Sequence, residues 1–323
     1  MTSIHHDSFV AGDARRTSIF AGEILITSPS PTTIAFCEFA RALAEEAFGE
    51  LDPEHAQYHL PVEQYSEILS CLKPRFIHGP RSKEFIRAIL DELGYDLEQT
   101  YFDVPRLRTS TSDGYLTSGI AYAWHPHRDT WYSAPMCQVN YWMPVYPIVT
   151  QNAMAFHPAY FDIAVPNTSA GYNYYEWNTR YRSAASSNVE RETRPLPAPI
   201  GEVDISNPLI LLPPVGGLIE FSGQHLHSSV PNTSGRTRLS IDFRTVHVGD
   251  IVDGIGAPNI DAECTGSSIR DFIRASDWTS MPDSIVALFN DGTEDRGDLL
   301  YVANREFRLA APAGTDDAPG AEL

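Results

Sequence analysis

Apolar positions in the first hundred residues recur at helical spacing. Ser30 and Pro31 open the first such run, Ser30 as its cap, with Phe36, Phe39, Ala40, Leu43 and Ala47 on one stripe. A second helix is predicted from Val62 to about Leu72, with Tyr65, Ile68, Leu69 and Leu72 inward. A third opens at Ser82, carries Phe85, Ile86, Ile89, Leu90 and Leu93, and stops at Gly94, which tolerates a left-handed turn. Ahead of them, Ile19–Ile26 fits a strand or a short helix. None of these helices carries a cluster of reactive side chains, so they read as packing elements.

From Tyr101 the period changes to short β-like runs broken by Gly, Pro, Asn and Ser. Strands are predicted at Arg106–Ser110, Gly119–His127, Met136–Val145, Ala153–His157, Leu209–Leu212, Gly217–Phe221 and Thr237–Val246. Many short strands without alternating helices point to a sandwich or barrel rather than a parallel βα sheet. Residues 167–207 interrupt the pattern with a polar, aromatic-rich stretch suited to a lid. A capped helix is expected near Ser267–Ala275, and the Ala-, Pro-, Gly- and Asp-rich tail Ala310–Leu323 reads as disordered. The expected organisation is one structural domain, mainly β with flanking helices. Residues 1–104 form a helical flank, 105–250 the core with its lid insert, and 251–323 a C-terminal flank.

Composition narrows the partners. The 323 residues are 42% hydrophobic and 20% charged, enough to bury a sizeable core. Lys and Arg number 23 against 42 Asp and Glu, a formal charge of −19, which repels phosphate backbones and argues against nucleic acid. It does not exclude a small anion held by a few Arg inside a cleft. Four scattered Cys (Cys37, Cys71, Cys137, Cys264) give neither a disulfide framework nor a zinc pattern. With no membrane-length apolar run and no signal-like start, the expectation is a soluble cytoplasmic protein with a small-molecule substrate and no membrane partner. The sequence carries no signal for an oligomeric state.

The chemistry gathers in two segments. Ala123-Trp-His-Pro-His-Arg-Asp-Thr-Trp131 holds His127 and Asp129 two residues apart, which on a strand places both side chains on one face. About a hundred residues later Phe221-Ser-Gly-Gln-His-Leu-His-Ser-Ser-Val-Pro-Asn232 supplies His227. Two His and one carboxylate on one face of a metal leave open positions, the facial arrangement of non-haem Fe(II) oxygenases. Two rival motifs are incomplete. The His-x-His-x-Asp-His run of binuclear zinc hydrolases has Thr130 at its sixth position, and a cupin motif lacks its Glu among Thr130 to Ser133. Arg238 follows His227 by eleven residues, and an always-charged, two-pronged Arg suits the far carboxylate of a chelating keto acid.

These segments resemble the Fe(II)/2-oxoglutarate-dependent dioxygenases, in the branch with phytanoyl-CoA and ectoine hydroxylases, over roughly residues 105–248. The resemblance implies a double-stranded β-helix (jelly roll, cupin-like) and a metal triad of His127, Asp129 and His227. It implies Arg238 as the 2-oxoglutarate arginine and Ser229 beside the same co-substrate. Gln138 and Asn140, alternating to one face of a strand, would contact 2-oxoglutarate or substrate. Fe(II), 2-oxoglutarate and O2 are the implied cofactors, with succinate and CO2 released. Because Asp129 is present where halogenases of the family carry Gly or Ala, hydroxylation, desaturation or oxidative ring closure is favoured over chlorination.

Further candidates follow from the same segments. His225 is the rival of His227, His125 is expected at the site entrance, and His157 as a strand-end structural His. Arg106 and Arg108 are candidate substrate-carboxylate ligands, with Arg244 as alternative to Arg238. Arg128 should point away from the metal. Trp131, Tyr132 and Trp142 are candidate pocket walls, as are Tyr172, Tyr174 and Tyr175. The segment His127 to Tyr132 with Gln138-x-Asn140-x-Trp142 is similar to bacterial natural-product tailoring oxygenases, including those that close a nitrocyclopropane ring on 6-nitronorleucine. The substrate implied is a small amino-acid-like or natural-product intermediate. Two other classes remain: a cupin-like metallohydrolase recruiting His125, and a catalytically silent ligand-binding β-helix.

Overall fold

The computed structural model describes residues 2–8, 12–123 and 125–289; the Ala310–Leu323 tail lies outside the described residues. Strand β1 (Ile4–His6) and helix α1 (Gly12–Phe20) lead into β2 (Ile24–Thr27), so Ile19–Ile26 divides between a helix end and a strand. Three longer helices follow: α2 (Pro31–Phe48), α3 (Val62–His78) and α4 (Pro80–Glu92). Ser30 caps α2 through a reciprocal box with Thr33, and Gly94 sits at φ +76° just beyond α4. Helix α3 runs past the expected end at Leu72 and contains Pro74. Packing carries it through: Phe76 is fully buried and stacks on Phe36 at 5.4 Å. A buried aromatic contributes roughly 1.5–3 kcal/mol, comparable to the cost of an interior Pro. The extra turns bring Lys73 to the central cavity.

Strands β3 (Thr100–Phe102), β4 (Arg106–Ser110), β5 (Val139–Pro144), β6 (Met154–Phe156), β7 (Leu209–Ile210), β8 (Leu218–Ser222), β9 (His227–Ser229), β10 (Arg238–His247) and β11 (Ile273–Arg274) complete the strands among the described residues. Eight form one mixed sheet in the order β1-β2-β8-β5-β10-β3-β11, with β4 also on β10; only β1–β2 is parallel. The remaining three, β7-β6-β9, form a smaller antiparallel sheet. Alternation on β10 assigns its two faces. Leu239, Ile241 and Phe243 join the helices in the main core, whereas Arg238, Asp242 and Arg244 line a cavity. Between the sheets, Trp142, Ile219 and Phe221 meet Met154 and Phe156 in a second apolar cluster.

Two further expectations are corrected. Gly119–His127 is not a strand; Gly119–Ala121 is a 3-10 turn, with Gly119 at φ +57°. A Cβ on Gly119 would lie 2.3 Å from the Ala185 carbonyl and 2.4 Å from that of Asn188, so only glycine fits. Second, the predicted helix near Ser267 is a single 3-10 turn, Ser268–Asp271, capped by Ser267 and followed by β11. The 167–207 stretch carries helical turns: Tyr174–Glu176, a π turn at Trp177–Tyr181 and a 3-10 turn at Arg182–Ser186. Its ends are pinned together by an Asn167↔Pro199 bridge and by the Thr168 amide donating to the Ala198 carbonyl at 3.0 Å. Among the described residues no helix is long and apolar enough to cross a membrane.

Candidate functional site

The centre forms where an irregular turn meets a strand. His127 and His227 make an isolated antiparallel bridge, each amide donating to the other's carbonyl at 2.9 Å. Their rings lie 4.3 Å apart, centre to centre. Asp129 does not reach the site along a strand. Its amide donates to the Gly223 carbonyl at 3.0 Å as it opens the 3-10 turn Asp129–Tyr132. Asp129 Oδ1 stands 3.6 Å from His127 Nε2 and 3.9 Å from His227 Nε2, and one ligand atom of each residue falls within 4.8 Å of the others.

Protonation favours metal binding. His127 Nδ1 is 2.8 Å from the His125 carbonyl, and His227 Nδ1 is 2.9 Å from that of His225. A carbonyl only accepts, so both Nδ1 atoms donate, which turns both Nε2 atoms toward the centre. Burial, with His127 adjacent, pushes His227 down to about 4, so it is neutral at physiological pH. Burial works against the Asp129 anion, but the neighbouring His127, His227 and Arg108 outweigh it and bring the carboxyl down to about 2. Gln138 Nε2 donates to Asp129 Oδ2 at 3.2 Å and to Asn140 Oδ1 at 2.8 Å, which leaves Oδ1 toward the His pair.

These residues open on a cavity of about 510 Å³. Arg238 lines it, 6% exposed, with Nη1 donating to the carbonyls of Asn152 and Ala153 at 2.9 and 3.1 Å. Its guanidinium carbon lies 5.6 Å from the Trp142 ring centre, and its buried Nε has no hydrogen-bond partner. Burial lowers it to about 10, still charged near neutrality. Ser229, Gln138, Asn140, Tyr132, Trp142, Tyr172, Tyr174, Arg106 and Arg108 also line the cavity. Arg108 already grips Asp242 with two bonds of 2.8 and 3.1 Å. Trp131 does not line it. The ring is fully buried behind the turn, where Nε1 donates to Asp261 Oδ1 at 2.7 Å.

The neighbouring residues also sort themselves. His225 is fully buried, its ring 4.7 Å from that of Phe161, and it serves His227 through its carbonyl. His125 is exposed and likewise contributes a carbonyl. His157 Nε2 is 3.1 Å from Ser228 Oγ, the strand-end role expected of it. Arg128 points away from the triad, as expected, and binds Asp261 and three carbonyls. Sequence reasoning missed Asp103, Asp242, Asp271, Lys73, Arg182 and Arg194, which also line the cavity. None stands in a motif; each arrives through packing of distant segments.

No family model and no curated protein matches the chain. Among solved structures, EvdO2 from Micromonospora carbonacea var. aurantiaca is similar at 14% identity and a TM-score of 0.41, covering 74% of this chain and 94% of that one; it has also been solved with 2-oxoglutarate. A non-haem monooxygenase, ThoJ, matches at 14% identity and a TM-score of 0.33, over 64% of this chain and 70% of that one. The non-haem α-ketoglutarate-dependent epimerase SnoN, from nogalamycin biosynthesis, matches at 11% identity and a TM-score of 0.35, over 72% and 82%. At these values the chemistry of this chain is argued from its own residues.

Proposed function

We propose that the chain is an Fe(II)- and 2-oxoglutarate-dependent oxygenase built on a double-stranded β-helix, residues 105–250, with helical and C-terminal flanks. The reading is carried by one conjunction: a His127, Asp129 and His227 triad with an ionised carboxylate, and a buried arginine with an unpartnered Nε, face the same cavity. His127, Asp129 and His227 would hold the metal; two neutral imidazoles and a carboxylate fit Fe(II) and leave net positive charge for a dianion. Arg238 would receive the far carboxylate of 2-oxoglutarate, with Ser229 beside it. Iron, when bound with O2, supplies the oxidative chemistry.

The chain's own contribution is orientation and dryness. Gln138 fixes which Asp129 oxygen faces the metal, with Asn140 holding the amide from behind. Tyr132 and Trp142 wall the cavity, and residues 167–207 cover it. The substrate would be a small amino-acid-like or natural-product intermediate, oxidised at a C–H bond by hydroxylation, desaturation or oxidative ring closure, with release of succinate and CO2. The four free cysteines support a reducing, cytoplasmic setting.

Asp129→Ala should abolish 2-oxoglutarate-dependent succinate formation and the weak visible absorption of the anaerobic Fe(II)/2-oxoglutarate complex. Wild-type turnover in that variant would remove Asp129 from the metal, and no absorption in the parent would favour a metallohydrolase.

A further inference from the structure

Charge along the cavity wall runs against the rest of the chain. The wall carries seven Lys and Arg but four Asp and no Glu, whereas the whole chain has 23 basic against 42 acidic residues. Most of these cations are already matched. Arg108 is paired two-pronged with Asp242, Arg194 with Glu192 at 2.7 Å, and Arg182 lies 4.0 Å from Asp271. Lys73 donates to the Ile120 carbonyl and is held down to about 7 by burial with help from Arg108, so its charge is only partial near neutrality. Arg238 is the first unmatched charge, taken by 2-oxoglutarate in the reading above.

The second unmatched charge lies further along the same face of β10. Arg106 Nη1 and Arg244 Nη2 converge on a single atom, Asp103 Oδ2, at 2.5 and 2.6 Å. Asp103 Oδ1 is occupied by the Arg244 amide at 2.8 Å. Two guanidinium groups therefore share one carboxylate whose oxygens are both engaged. Arg244 Nε is buried with no hydrogen-bond partner, and both arginines line the cavity. Arg244 is directly opposite Asn140 across β5 and β10, which places it beside the residue that backs Gln138 and Asp129. A buried donor and a surplus positive charge next to the reacting centre call for an anion, and a carboxylate matches two forked guanidinium groups in shape as well as charge.

We propose that Arg106 and Arg244, joined through Asp103, seat the carboxylate of the primary substrate, which is a small carboxylic acid or amino acid. The proposal rests on the oxygenase reading only in assigning Arg238 to the co-substrate. Asp103 holds the pair in register, so Arg106 and Arg244 are binding residues and Asp103 is a positioning residue.

The test is calorimetric titration of the full chain loaded with redox-silent Ni(II) and 2-oxoglutarate. The probes are straight-chain monocarboxylates from butanoate to octanoate, their α-amino counterparts, and the primary amide of each acid. At least one acid should bind, with its amide weaker by about tenfold or more, the worth of one charge-assisted contact. Arg244→Gln should erase that acid preference while leaving amide affinity within about twofold, and Arg244→Lys should restore part of it. Binding of 2-oxoglutarate should stay within about twofold in Arg244→Gln. Amides equal to acids, an acid preference surviving in both Arg244→Gln and Arg106→Gln, or no acid bound at all overturns the proposal. A loss of 2-oxoglutarate binding in Arg244→Gln, matching that in Arg238→Gln, also overturns it by giving Arg244 to the co-substrate. Failure of the oxygenase reading looks different: 2-oxoglutarate does not bind the parent protein, while the acid preference, read without it, persists.

Discussion

Two buried arginines, one behind the metal centre and one in front of it, show how burial alone misleads. Arg128 is fully buried and closed. Its Nε donates to Asp261 at 3.0 Å, and its other nitrogens reach the carbonyls of Gln224, Tyr160 and Ile163. Arg238 is almost as buried but open, with Nη1 on two carbonyls, Nε unpartnered and no carboxylate contact among the described residues. The first welds the segment bearing His127 and Asp129 to Asp261 and to the backbone at Gln224, Tyr160 and Ile163. The second holds a charge in reserve at a cavity. What separates scaffold from receptor is whether the buried donors are used up.

Replacing each arginine should separate the two roles. The largest effect is expected from Arg128→Met, which leaves buried Asp261 without its charged partner and should cost about 3–5 kcal/mol of unfolding free energy in a denaturant titration. A change under about 1 kcal/mol would mean that Arg128 is not the weld. Arg238→Gln should leave unfolding nearly unchanged, since it removes an uncompensated charge, yet raise the 2-oxoglutarate concentration for half-maximal succinate formation about tenfold or more. Equal destabilisation in both variants would dissolve the contrast. Smaller still, Gln138→Leu should lower turnover only several-fold, the loss of one hydrogen bond worth about 1 kcal/mol to Asp129. Unaltered turnover would show that the turn alone sets the carboxylate.

The strand-borne half of the site was the legible half. Strand β4 begins and ends at the predicted residues, and β10 differs from its predicted span by one residue at each end, because alternation is strict where one face is core and the other lines a cavity. The capped start of α2 was equally readable from Ser30-Pro31. The turn-borne half was legible in residue type but not in geometry. His127 and Asp129 were expected to share a strand face, whereas a lone backbone bridge and a 3-10 turn bring them together. The fate of Trp131 was hidden for the same reason, since its burial depends on Asp261 far along the chain. Asp103 carries no local signal either; its partners Arg106 and Arg244 come from two strands joined only by the sheet.

The closed stem of the 167–207 stretch has a consequence for how such a chain diversifies. Because Asn167 and Pro199 already meet, whatever lies between them behaves as a cassette: its ends are fixed in space whatever its contents, and changing its length adds little to the entropy of closing the loop. Tyr172, Tyr174, Trp177 and Arg194 all belong to that cassette, while the metal triad and Arg238 lie outside it. Exchanging the insert would change part of the cavity wall while the His127, Asp129 and His227 triad, Arg238 and the Arg106–Asp103–Arg244 group stay in place, so that part of the wall can vary separately from the reactive centre.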